Sequence, residues 1–227
     1  MSDSAQFQIA MRKYKVEQHQ ALVDAFDEPL NYPIAVKDPY EVLNAPGIAA
    51  GAIRIDWNRY GEDFIRRVAG HIPEYWVRVG SANNRCRDGF VGFLGSVMNT
   101  EPVYGQLRDA GLNVDHMYAQ SVAQKEGLRF VRTALISSTV NQDTGWAIEK
   151  GLKRESAISP ERRNIDIVAI MKGMNIRPPL NMQDYELRRN YIADALNRAG
   201  IRDKRESILM MMDGFLQYYP VLGGKAM

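Results

Sequence analysis

Apolar residues recur along this chain mostly at three- and four-residue intervals, the spacing that gathers side chains on one face of a helix. Phe7, Met11, Tyr14, Leu22 and Ala25 form one such stripe, with Ser4 able to cap its start. Prolines 29, 33, 39 and 46 then forbid a long helix and predict a linker or extended arm. Ile53, Trp57, Tyr60, Phe64 and Val68 predict a second helix over residues 52–68, ended by Gly70. EYWVRVG, residues 74–80, alternates with period two and predicts one short strand, while SANNRCRDG after it reads as a loop. Beyond it, short helices follow one another. They include a stripe of Leu128, Val131 and Leu135, a stretch capped by Asn113 or Asp115, a start signal at Ser159-Pro160-Glu161, and an end at Gly200. The expectation is an all-α fold of about nine helices. Its organisation would be an N-terminal helix and proline-rich arm (1–48), a helical core (49–214) forming one compact domain or two lobes split near 142, and a tail (215–227).

Inside the proline-rich segment, Asp38-Pro39-Tyr40-Glu41-Val42-Leu43-Asn44 resembles the opening of a J-domain, the module that stimulates chaperone ATPases. That resemblance implies a His-Pro-Asp tripeptide about one helix later. The chain instead reads Gly70-His71-Ile72-Pro73-Glu74, with the His split from the Pro and Glu in place of Asp. The preceding stretch is aromatic and arginine-bearing rather than lysine-rich. The physical reading is a single helical turn capped by Asp38 and begun by Pro39, with Val42 and Leu43 turned inward.

Composition narrows the function without naming it. The 45% apolar and 25% charged content is that of an ordinary globular chain, and no apolar run reaches the length of a membrane span. The N-terminus lacks an apolar leader core, so the expected location is the cytoplasm or a virion. One cysteine excludes an intramolecular disulfide, and the histidines, 19, 71 and 116, have no metal-ligand spacing; no metal or cofactor is expected. Cys86 lies between Arg85 and Arg87, cations that would favour a thiolate, but no sequence neighbour supplies a base. Glycines 89, 92 and 95 match no phosphate-binding motif, and Glu62 and Asp63 would diverge on a helix.

The net charge of +2 conceals a gradient. Residues 17–41 carry six acids against one base, and residues 150–205 thirteen bases against seven acids. Arginine supplies 20 of the 29 positive residues, and its planar fork suits phosphate. Arg59, Arg66, Arg67, Arg78, Arg85, Arg87, Arg162, Arg163, Arg188 and Arg189 stand near aromatic residues, the combination used by single-strand binders. Phe7, Met11, Tyr14, Tyr32, Val42 and Leu43 are the candidates for contact with a second copy. The leading expectation is a non-enzymatic assembly protein, a viral nucleoprotein or coat subunit that self-associates and holds single-stranded RNA. A protein-only adaptor is the alternative, and an enzyme built on Cys86 or distant carboxylates the third.

Overall fold

The computed structural model describes residues 2–29, 32–44, 52–57, 62–147, 161–179, 182–201 and 205–216. The chain starts with helix α1 (Asp3–Asp27), whose first turn is capped by Ser2 rather than Ser4. Strand β1 (Pro33–Val36) and a 3-10 helix (Pro39–Asn44) follow. Next come β2 (Ile53–Trp57), β3 (Asp63–Val68), β4 (Glu74–Arg78), α2 (Asn83–Met98) and α3 (Gln106–Asp109). The middle of the chain holds β5 (Leu112–His116), α4 (Gln120–Lys125), β6 (Phe130–Ser137) and α5 (Ser138–Ala147). It closes with β7 (Arg162–Asn164), α6 (Ile167–Gly173), α7 (Met182–Arg198) and α8 (Arg205–Leu216).

The all-α expectation is overturned. Seven strands among the described residues form one sheet in the order β2-β3-β4-β6-β1-β7, with β5 pairing the C-terminal half of β6, and every pairing is antiparallel. The predicted helix over 52–68 is overturned by two paired strands, β2 and β3, residues 58–61 lying outside the described residues. Its misleading signal has a geometric origin: Ile53 pairs with Val68 and Trp57 with Phe64, so the residues that would line one helix face line one face of a hairpin. The Leu128–Leu135 stripe belongs largely to β6, which has no polar side to alternate with because its first seven residues are buried. The Asn113–Asp115 start is β5, and residues 162–164 form β7 before Asp166 caps α6. The predicted strand at 74–80 is β4. The loop at 81–89 is instead largely the first turns of α2. Gly89 has a reason to lie within a helix, since a Cβ there would stand 2.1 Å from the Tyr75 hydroxyl.

Successive residues of a strand face opposite sides, so register assigns two faces. One carries Tyr75, Val77 and Val131 and is covered by α1, α2 and α6; Tyr14, Phe90, Phe93 and Tyr75 pack there as a ring cluster with centroids 5.3–6.0 Å apart. Gln18 of α1 ties this layer together. It is buried, donating to the Leu135 and Gly173 carbonyls at 3.1 and 3.2 Å and accepting from the Leu135 amide at 2.8 Å.

The opposite face carries Ile55, Trp57, Phe64, Trp76, Phe130 and Val36. Trp57 lies three strands from Phe130, about 14 Å in a flat sheet, yet the two rings stand 6.0 Å apart. The sheet is therefore curled into a half-barrel with this face inside. The 3-10 helix touches both β1 and β2 and lowers Val42 into the aromatic cluster. Asp38 caps that turn as the sequence suggests, accepting from the Tyr40 amide at 2.9 Å. Leu43, by contrast, is exposed.

Candidate functional site

At the mouth of the curl, Phe130 is a hub. Trp57 packs edge-on against it at 6.0 Å, the Arg129 guanidinium lies 5.8 Å from its ring centre, and Arg78 is its cross-strand partner on β4. Trp57 is 42% exposed and points its indole N–H at the Tyr40 hydroxyl, 3.5 Å away, while Tyr40 is itself 54% exposed. Arg78 and Arg129 are exposed, and neither forms an ion pair with a described residue. Arg162 of β7 stands in register with Val36, on the same inner face and at the same end of the sheet. Two accessible rings thus flank guanidinium groups that have no acidic partner among the described residues, on a concave surface.

Most of the other candidate arginines have acidic partners. Arg67 pairs with Asp56 at 2.8 Å, Arg163 with Glu126 at 3.0 Å, Arg188 with Asp184 at 3.2 Å and Arg189 with Asp213 at 2.7 Å; Arg85 pairs with Glu62. Arg87 is exposed with no ion pair to a described residue, and Arg59 lies outside the described residues. Arg66 is buried inside the curl beside Glu74. Of the residues named for contact with a second copy, Phe7, Met11, Tyr14, Tyr32 and Val42 are buried in this chain's own core, and Leu43 is at the surface. Sequence reasoning missed Tyr40 and Arg129 as site residues. Tyr40 was absorbed into a capped turn, and Arg129 becomes visible only when β6 is recognised as a strand ending beside β4.

On the helix-covered side, folding supplies the base that Cys86 lacks in sequence. Its Sγ is 3.8 Å from His116 Nε2, and His116 Nδ1 is 3.6 Å from Asp115 Oδ1. Gln120 Nε2 lies 2.6 Å from the same His116 Nε2 while its carbonyl oxygen accepts from the Gly80 amide at 2.8 Å. A donated amide proton makes Nε2 the acceptor and leaves the ring proton on Nδ1, toward Asp115. The order thiol, imidazole, carboxylate is that of an activated nucleophile, but the electrostatics run the other way. Burial, reinforced by Asp63 and Asp115, pushes the Cys86 thiol up to about 12, so it stays protonated at neutral pH. Burial also acts to raise the Asp115 carboxyl, but the buried Lys172 ammonium, 2.6 Å away, and His116 together hold it at about 2. Asp115 is therefore committed to Lys172, and the thiol is closed from solvent. The cluster is thus a buried hydrogen-bonded arrangement in which the thiol stays protonated, not an activated nucleophile.

No group of metal-ligating side chains is present among the described residues, and no described helix is long and apolar enough to cross a membrane. Comparison with protein-family models, with curated proteins and with solved structures finds no match.

Proposed function

We propose that the chain is a non-enzymatic nucleic-acid-binding protein that lays single-stranded RNA across the mouth of its curled sheet, as a nucleoprotein does. One observation carries the reading: exposed Trp57 and Tyr40 stand beside Arg129 and Arg78 around the Phe130 ring. Rings of this kind stack on bases without regard to sequence, and guanidinium groups without acidic partners are free to contact phosphates. A single strand fits better than a duplex, because stacking needs bases that are already unpaired. The adaptor reading has less to explain these rings, since acidic protein surfaces do not require aromatic platforms.

The test is a fluorescence-anisotropy titration of labelled single-stranded RNA at physiological salt, with wild type, Trp57→Ala and Arg129→Gln. Trp57→Ala is expected to weaken binding by about 1–3 kcal/mol, the range for one stacked base. Arg129→Gln should lower the slope of log K against log salt by about 1. RNA bound equally well by all three proteins, or by none, overturns the proposal.

A further inference from the structure

Deeper inside the curl the buried charges of the described residues do not balance. Arg66 and Arg132 are 1% and 4% exposed, and the carboxylate between them, Glu74, is 3% exposed. Arg66 and Glu74 are cross-strand partners, and Arg132 pairs with Trp76, one step along β4 on the same face. Glu74 Oε2 accepts from the Trp76 indole at 3.1 Å and lies 3.3 Å from Arg66 Nε; Oε1 lies 3.3 Å from Arg132 Nη1. Both guanidinium contacts are close enough for ion pairing but not aligned as hydrogen bonds, so Arg66 Nε and Nη1 and Arg132 Nη1 have no acceptor. No second carboxylate among the described residues reaches ion-pair distance of either arginine.

Tyr14 and Tyr32 feel this charge cluster but cannot neutralise it, because burial raises the pKa of both, that of Tyr32 to about 12, and keeps them protonated. A buried lysine could relieve an excess positive charge by losing its proton, whereas a guanidinium cannot. An unbalanced buried ion is unfavourable by several kcal/mol, and donors left without acceptors add to that. What relieves both at once is an anion with two or more oxygens, whose geometry matches the guanidinium fork.

We propose that Arg66 and Arg132, held apart by Glu74, form an internal anion site that is completed by one small oxyanion group, a carboxylate or a phosphate. It is separate from the RNA-binding reading, using neither the exposed rings nor the surface arginines. Its ligand is a single head group rather than a polymer, because both guanidiniums are enclosed.

The test is thermal unfolding against rising concentrations of inorganic phosphate and, separately, acetate, at fixed ionic strength, with wild type, Arg132→Gln and Glu74→Gln. In wild type the unfolding midpoint should rise along a saturable curve with at least one of the two anions, and the one that acts identifies the ligand class. Arg132→Gln leaves a balanced Arg66–Glu74 pair. It should fold as well as wild type without anion, and its half-saturating concentration should increase by about tenfold or more. Glu74→Gln removes the competing carboxylate and should shift half-saturation down by about tenfold, which keeps the proposal testable should Arg132→Gln not fold. A flat response in wild type, or the same rise in all three proteins, overturns the site and assigns the three nitrogens to water alone.

Discussion

The two faces of one sheet follow different rules. On the helix-covered face, large apolar side chains of α1, α2 and α6 pack together around a few bonded polar groups: Gln18 is bonded at both its oxygen and its nitrogen, and Tyr75 donates to Asp63 at 2.8 Å. On the inner face a handful of aromatic side chains forms a small separate cluster, bordered by exposed rings at one end and by guanidinium nitrogens without acceptors at the other. One surface is organised to hold the chain together. The other holds charged donors, Arg66 Nε and Nη1 and Arg132 Nη1, buried without an acceptor, the costliest kind of unmet hydrogen bond.

That contrast can be broken in order of size. Gln18→Leu should have the largest effect, leaving the Leu135 amide and two carbonyls buried without partners and lowering stability by about 3 kcal/mol, read from urea unfolding. A loss below about 0.5 kcal/mol would show that the helix-covered face does not depend on its satisfied polar contacts. Next comes the closed thiol. With the Cys86 pKa raised to about 12, its neutral form persists as pH climbs past the usual thiol range near 8.5. Iodoacetamide at pH 8.5 should therefore modify native protein at least about tenfold more slowly than urea-unfolded protein, measured by mass spectrometry. Rapid native alkylation would reopen the enzyme reading. The smallest effect is reserved for the inner face: Trp57→Ala should change stability by about 1 kcal/mol or less, because its ring is already half in solvent, while impairing RNA binding. A loss of stability as large as that of Gln18→Leu would mean that the mouth is structural and that the two faces are not divided in this way.

Much of the helical content was legible, and the reasons are local. Gly200 ends α7 with φ +115° as read, whereas α1 is capped by Ser2 rather than Ser4, and α6 is capped by Asp166 rather than started at 159–161, of which 159 and 160 lie outside the described residues. The sheet was mostly illegible because its evidence is non-local. Ile53, Trp57, Phe64 and Val68 satisfy a helical period and a hairpin register equally well, and only the pairing of Ile53 with Val68 distinguishes them. Phe130 to Ile136 is buried throughout and shows no period at all. Among the site residues, Arg78 was identified and lies at the mouth, whereas Arg66 was named as a surface contact and lies inside. A guanidinium on a strand next to Phe64 has no sequence signal that says which way the sheet curls. Cys86 and His116 are thirty residues apart in sequence, and their contact depends on α2 crossing over β5.

The 3-10 helix at Pro39–Asn44 gives the curl a particular mechanical character. It reaches from β1, next to one edge of the sheet, to β2 at the other, so the half-barrel is spanned by side-chain packing around Val42 rather than by a closing ladder of backbone hydrogen bonds. A barrel zipped shut has a fixed bore. Here the two sides of the curl are joined by a six-residue clasp, so the width of the bore is set by how Val42 packs on the rings of Phe64, Trp76 and Phe130.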